Sequence, residues 1–171
     1  MQCLTDVEVK AWLAGVHFED VTLHSAPVGR LTTHSCGYFS RVAAAELMAV
    51  VRKLDDWLWY SEPSSCLVSV VETGIWSSSE NLSLYYSWRQ SLHIHTSLDV
   101  GRGHVFLPFE RDHFMSLLQM SLIFGWGFLA ASAYGDDAFA INHDGKVVAF
   151  TDVPQRAAEL CTALAPLLKS K

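Results

Sequence analysis

Charged residues are scarce in this chain of 171 residues: 18% of the positions are Asp, Glu, Lys or Arg, whereas 50% are hydrophobic. This composition excludes an intrinsically disordered protein. Bases are the scarcer charged kind, with 12 Lys and Arg against 18 Asp and Glu, so the net charge is −6. Because a nucleic-acid-binding surface normally needs a basic stripe to meet phosphates, the charge predicts no nucleic acid and favours a basic protein partner.

Several sequence signatures are missing. Cys3, Cys36, Cys66 and Cys161 form no CxxC pair, which predicts four reduced thiols and neither a disulfide framework nor a zinc knuckle. The N-terminal segment MQCLTDVEVKAWL has no basic region and carries acids within its first apolar run, so we expect no secretory signal and a cytoplasmic location. With neither a Walker loop nor a GxGxxG motif, no cofactor is predicted.

Charge is absent altogether from residues 113–135. An apolar stretch of about 20 residues is long enough to span a membrane. However, Phe114, Leu117, Leu118 and Leu122 follow helical spacing, and the stretch divides at Gly125-Trp126-Gly127. This pattern predicts a buried helix that runs into a buried strand, with no membrane association, and makes the segment the centre of the core.

The apolar periodicity predicts helices and strands in alternation. A helix is expected from about residue 41 to residue 57, strands over 66–72 and 104–108, and three strands over 128–133, 138–142 and 147–151. Asp144-Gly145 is a hairpin signal, and Pro154 precedes a periodic C-terminal segment. We therefore predict an α/β or α+β fold: a single domain over 1–171 with a mixed β-sheet covered by helices, a C-terminal antiparallel meander and a terminal helix, residues 1–37 being a possible peripheral addition.

Histidines supply the best candidate for a metal site. His93 and His95 are two apart, so on a strand their imidazoles share one face, and His104 lies nearby in the sequence. With Glu110 or His113 as a further ligand, these residues would hold a metal ion for a small hydrolase. The alternative is that they are surface histidines in a polar loop.

Two other pairs suggest catalysis. His34 and Cys36 are a candidate base and thiol nucleophile, although a small buried thiol is the commoner role for such a cysteine. His143 and Asp144 are a candidate general base with its orienting acid, but no GxSxG motif accompanies them, and Asp144 also suits a hairpin turn.

Acids and aromatics are concentrated where bases are missing. No Lys or Arg occurs between Lys53 and Arg89. Aromatic residues concentrate binding energy at interfaces, and charge complementarity raises association rates. We therefore predict a partner-binding surface, although a solvated acidic face is the alternative. Its residues would be Asp55, Asp56, Trp59, Tyr60, Glu62, Trp76 and Glu80.

A series of short motifs lies in the second half of the chain. They are Gly74-Ile75-Trp76 followed by Ser79-Glu80-Asn81 and Leu84-Tyr85 with Arg89, then Gly103-His104 and Phe106 with Glu110, then Gly125-Trp126, then Asn142-His143-Asp144. In this order they resemble a set of small, mostly uncharacterised bacterial cytosolic proteins. The resemblance covers roughly residues 70–150 and departs at Gly127 and Gly145, where acids are expected. It implies that Glu80, Arg89 and Glu110 form a structural ionic network.

Small acidic proteins of this kind resemble immunity proteins of bacterial toxin systems. The leading hypothesis is therefore a non-enzymatic binding protein that neutralises a cognate, basic toxin or effector by occluding its active site with the acidic, aromatic surface. The alternatives are the metal-dependent hydrolase and a secretion chaperone, which would dimerise through a broad apolar face.

Overall fold

The computed structural model describes residues 1–18, 23, 31–39, 44–73, 82–98 and 100–168. The described residues form five α-helices and seven β-strands. The helices are α1 (Asp6–Gly15), α2 (Ala44–Leu58), α3 (Leu82–Ser91), α4 (Arg111–Phe124) and α5 (Pro154–Leu164). The strands are β1 (Gln2–Leu4), β2 (Thr32–Tyr38), β3 (Cys66–Glu72), β4 (Gly103–Phe106), β5 (Gly127–Ser132), β6 (Asp137–Ile141) and β7 (Lys146–Thr151).

The strands form one sheet in the order β1-β4-β3-β5-β6-β7-β2. The predicted α+β fold with a C-terminal meander and a terminal helix is confirmed. Each pairing in the described part of the sheet is antiparallel, whereas a mixed sheet would include parallel pairs. The strands β4 and β5, which α4 connects, run in the same direction. They do not pair with each other, because β3 lies between them and is antiparallel to both.

Both faces of the sheet are buried, by different elements. In β3, Val68 and Val70 pack with α2, α4 and α5, whereas Leu67 points to the opposite face, where Val9 and Leu13 of α1 cover it. Successive side chains of a strand point to opposite faces, so a sheet covered on both sides has continuous apolar strands. β5 and β6 are buried at every position for this reason.

The charge-free segment 113–135 forms α4 and β5, as predicted. α4 ends at Gly125, whose φ of 64° is the left-handed conformation that favours glycine at a helix end. In the part of the chain that the structure describes, no helix combines the length and apolar character needed to cross a membrane. Residues 1–37 supply β1 and most of β2, the two outer strands of the sheet.

The cysteines correct the sequence prediction of four reduced thiols. Cys36 on β2 and Cys161 on α5 form a disulfide, and their Cα atoms are 4.4 Å apart. The sequence separation of 125 hid this pairing, which arises because α5 packs on the outer strand β2. Cys3 and Cys66 are free. The suggested Cys36 nucleophile with His34 is therefore wrong, since the Cys36 sulfur is bonded to another sulfur.

Candidate functional site

One end of the sheet brings together segments that are far apart in the sequence. There Cys66, where β3 begins, is in register with Phe106 and Ser132, where β4 and β5 end. Asp137, where β6 begins, is in register with Thr151, where β7 ends. We call this the upper end. The C-terminal turn of α2 and the first turns of α4 and α5 lie beside these strand ends.

Asp55 and Trp59 belong to the interior at the upper end, which corrects their prediction as partner-binding residues. Asp55 is 4% exposed and pairs with Arg111, which donates from Nε at 3.3 Å and from Nη2 at 2.5 Å. Trp59 is also buried, with its ring edge-on to Phe114 at 5.9 Å. Residues four apart share a helix face, so both residues at this end of α2 point toward α4.

Both partners of the Asp55–Arg111 ion pair have raised pKa values. Burial raises the pKa of Asp55 in spite of the neighbouring Arg111. The hydrogen bond from Arg111 to Asp55 raises the pKa of Arg111. The guanidinium also lies 3.6 Å from the exposed carboxylate of Asp56 and 5.8 Å from the Trp59 ring centre. Arg111 therefore brings a base into a region that is free of bases in the sequence.

Three of the predicted partner-binding residues are exposed at the upper end. Asp56 is 75% exposed, Tyr60 is 74% exposed, and Glu62 is also exposed. Trp76 and Glu80 lie outside the described residues. Asp56, Tyr60 and Glu62 are therefore accessible to a partner, and their role as partner-binding residues stays a prediction.

Two further exposed aromatics at this end were missed. Phe109, in the short 3-10 turn before α4, is 82% exposed, and Tyr134, in the β5–β6 turn, is 57% exposed. The Tyr134 hydroxyl donates to the Glu62 carbonyl oxygen at 3.2 Å. No local pattern could have revealed this grouping, because 72 residues separate that pair. We call Asp56, Tyr60, Glu62, Phe109 and Tyr134 the upper surface.

Arg156 of α5 fixes Tyr60 in place. Its guanidinium carbon lies 4.5 Å from the Tyr60 ring centre and 5.4 Å from that of Trp57. Arg156 Nη2 donates to the Trp57 carbonyl oxygen at 2.8 Å and lies 2.5 Å from an oxygen of buried Asp137. Because Arg156 is held by groups on both α2 and β6, the exposed Tyr60 ring rests on a rigid support.

A second cluster, in the interior, joins residues of the motif series. The Tyr85 hydroxyl lies 2.6 Å from His104 Nε2 and accepts a hydrogen bond from Arg89 Nη1 at 2.8 Å. Arg89 Nη2 donates to the Cys3 sulfur at 3.0 Å. The Trp126 ring stands edge-on to Tyr85 at 5.5 Å. We call these five residues the Tyr85 cluster.

Burial fixes the protonation state at the centre of this cluster. Desolvation, helped by the positive charge of Arg89, lowers the pKa of His104 to about 3. Desolvation also raises the pKa of Tyr85. Near neutral pH the Tyr85 hydroxyl therefore keeps its proton and donates it to the neutral imidazole while accepting from Arg89.

The metal alternative is not supported by this arrangement. His104 is fully buried against Tyr85, whereas His93 and His95 are exposed in the segment that follows α3. Among the residues with a described position, no three His, Cys, Asp or Glu side chains are grouped so that they could hold a metal ion. His93, His95 and His104 are thus not brought together.

The predicted ionic network is also different in the structure. Glu110 pairs with the α-amino group of Met1 and accepts from the backbone N–H of Leu107 at 2.9 Å. No ion pair joins Glu110 to Arg89, whose hydrogen-bond partners among the described residues are Tyr85, Cys3 and the Gly101 carbonyl. Arg89 and Glu110 therefore stabilise separate parts of the fold, and Glu80 lies outside the described residues.

Removing one hydroxyl tests the structural role of the Tyr85 cluster. We expect Tyr85→Phe to lower the free energy of unfolding by about 1–3 kcal/mol, because His104 and Arg89 each lose a buried partner. Tyr86→Phe, which removes a half-buried hydroxyl that accepts from Leu98 N, should cost less than about 1 kcal/mol. Urea denaturation measures both. Equal costs for the two variants would contradict a structural role for the cluster.

A third group lies at the opposite, lower end of the sheet. His143 Nδ1 is 2.9 Å from Glu72 Oε2, and the His143 backbone N–H donates to the same oxygen at 3.2 Å. Asp144 is farther away, at 3.6 Å from His143 Nε2. The carboxylate that orients His143 is therefore Glu72 rather than Asp144, which the sequence suggested.

Gly127 and Ser121 are close neighbours of the His143–Glu72 pair. A Cβ atom at position 127 would lie 2.4 Å from Glu72 Oε2, so glycine is required for the carboxylate to approach the backbone. Ser121 lines a narrow cavity with His143, but its buried hydroxyl has no hydrogen-bond partner in the described part of the structure. Ser121 is therefore not aligned by a hydrogen bond as a nucleophile for His143.

No family model, curated protein or solved structure matches the chain. The resemblance carried by the motif series therefore stays a prediction. The Tyr85 cluster gives a structural reason for the presence of several motif residues, since Tyr85, Arg89, His104 and Trp126 pack together. Inferences about function rest on the three groups described above.

Proposed function

We propose that the protein is a non-enzymatic binding module whose partner docks on the upper surface. The observation that carries this proposal is that three exposed aromatic residues, Tyr60, Phe109 and Tyr134, and two exposed carboxylates, Asp56 and Glu62, all lie at the upper end of the sheet. Single exposed apolar residues are common on proteins, whereas large aromatics grouped on one face are typical of interaction sites.

The charge at the upper end favours a basic partner. Asp55 and Asp56 lie close to Arg111, and Asp137 lies beside Arg156. The two arginines are occupied by Asp55 and Asp137, which leaves the carboxylates of Asp56 and Glu62 facing solvent. A Lys- or Arg-rich partner would meet them with complementary charge, which speeds association and disfavours acidic competitors.

Rigidity supports the same proposal. Tyr60 rests on Arg156, and Tyr134 is hydrogen-bonded to the loop that carries Glu62. Side chains that already occupy their bound positions lose little entropy on association. Tyr60 and Tyr134 are therefore held in place before a partner binds.

Within this proposal, the partner is a cognate bacterial toxin, and the protein acts as an immunity protein that occludes the toxin's active site. The disulfide between Cys36 and Cys161 disfavours the cytoplasmic location that the sequence predicts. The cytosol keeps thiols reduced, and a disulfide such as Cys36–Cys161 is typical of oxidising compartments. The docking proposal applies in either compartment.

The test measures affinity for the product of the adjacent reading frame by titration calorimetry. We expect Tyr60→Ala to weaken binding at least about 30-fold and Asp56→Lys at least about tenfold, as for residues at the centre of an interface. Glu46→Lys is the matched control, because Glu46 is exposed in the first turn of the same helix and lies ten residues from Asp56.

The three variants separate the possible outcomes. Binding that Tyr60→Ala and Asp56→Lys leave within twofold of wild type would remove the upper surface as the docking site. An adjacent product that does not bind at all would remove the immunity class. A loss of affinity in Glu46→Lys equal to that in Asp56→Lys would show that only net charge matters.

A further inference from the structure

A groove opens on the face of the sheet that α1 covers, next to the upper end. It has a volume of about 530 Å³ and is open to solvent. Its apolar walls are Leu4 of β1, Ala11 and Trp12 of α1, and Val105 and Leu107 at the end of β4. Trp12 is half-buried and Leu107 is 42% exposed, so apolar surface remains accessible in the groove.

The charge on the groove is negative. Glu8 of α1 is the charged side chain that lines it. The Glu8 carboxylate accepts hydrogen bonds from the Thr5 backbone N–H at 2.7 Å and from the Thr5 hydroxyl at 2.8 Å. These bonds lower the pKa of Glu8. An ionised carboxylate beside apolar walls suits an apolar side chain with a basic neighbour.

The groove is close to the upper surface at two points along the chain. Leu107 in the groove is two residues from Phe109 and four from Arg111, which contacts Asp56. Ser65, on the other side of the groove, is three residues from Glu62. Three residues span at most about 11 Å, so a single short segment of a partner can reach both places.

We propose that this groove receives an aromatic side chain of the same basic partner that binds the upper surface. The inference rests on the proposed function and extends it to a second contact. An aromatic occupant fits because the Trp12 ring offers an edge or face for ring packing, and the aliphatic walls bury the rest of the ring. Lysines or arginines flanking that aromatic residue meet Glu8 on one side and Glu62 on the other.

Two peptides probe the groove: KKGWGKK and its counterpart KKGSGKK, in which serine replaces tryptophan so that no aromatic ring is present. Binding is followed by chemical-shift changes of the backbone amides in solution. We expect both peptides to shift the amides of Asp56 and Glu62. Only KKGWGKK should shift Val105, Leu107 and the Trp12 indole, and it should bind about tenfold more tightly, because it buries one additional ring.

Matched variants of α1 provide the control. Ala11→Trp fills the groove and should abolish the gain of KKGWGKK over KKGSGKK. Ala14→Trp makes the same change at an exposed position of the same helix outside the groove, and should keep that gain. Equal affinity of the two peptides for the wild type, with shifts confined to Asp56 and Glu62, would overturn the groove and leave the upper surface standing.

Two further outcomes distinguish the groove proposal from the proposed function. If neither peptide shifts any of these amides, both the groove and the proposed function are contradicted. If KKGWGKK shifts Val105 and Leu107 with the same affinity in Asp56→Lys as in the wild type, the groove binds aromatic groups independently, and its assignment to the interface of a basic partner is overturned.

Discussion

Replacing Cys36 and Cys161 together with serine should lower the free energy of unfolding by about 3–5 kcal/mol. The disulfide closes a loop of 125 residues, and a cross-link of that span restricts the unfolded chain strongly. It also ties β2, an outer strand of the sheet, to α5. Chemical denaturation of the wild type and the double variant measures the difference.

Reductant supplies the internal control for that prediction. A thiol reductant should lower the stability of the wild type to that of the double variant, and should leave the double variant unchanged. Denatured, unreduced wild type should titrate as two free thiols, Cys3 and Cys66. Four free thiols in protein isolated under alkylating conditions, with no effect of reductant on stability, would contradict the disulfide.

Acidification should destabilise the protein through His104. Its pKa in the folded state is about 3, below the usual value of 6.5. Between these values the unfolded chain binds a proton that the folded protein excludes, so stability falls as the pH drops from about 6.5 toward 3. The slope is about 1.4 kcal/mol per pH unit, so this group alone should cost roughly 2–3 kcal/mol of stability between pH 7 and pH 4.5.

A comparison of slopes isolates His104 from the other titrating groups. The unfolding free energy of His104→Gln should lack this part of the pH dependence between pH 6.5 and pH 5, whereas His95→Gln should retain it, because His95 is exposed. The imidazole resonances of His104 in the wild type should also stay those of the neutral ring at pH 5. A His104 that titrates near pH 6.5 in the folded protein would refute the account of the cluster.

Local patterns predicted much of the fold. The three strands of the meander, their glycine-containing turns and the amphipathic helices are each encoded within about 20 residues, so the spacing of apolar side chains was enough to find them. The order of strands in the sheet was not predicted, because the position of β3 between β4 and β5 depends on pairing between distant segments.

The proposed binding surface could be derived from the sequence only in part. Asp56, Tyr60 and Glu62 are exposed, and their role as partner-binding residues stays a prediction, whereas periodicity alone did not show that Asp55 and Trp59 point toward α4. Arg111 and Arg156, which enter this region in the structure, are 56 and 99 residues away from their partners Asp55 and Trp57. Contacts over such separations have no signature in a single sequence.

The central claim is that the partner binds the upper end of the molecule and that the His143–Glu72 pair at the lower end takes no part. Hydrogen–deuterium exchange of the protein, with and without the bound partner, tests this most directly. We expect slower exchange of backbone amides at residues 56–62, 107–111 and 133–135, with little change around His143. Protection centred on Glu72 and His143, with unchanged exchange at residues 56–62, would contradict the claim.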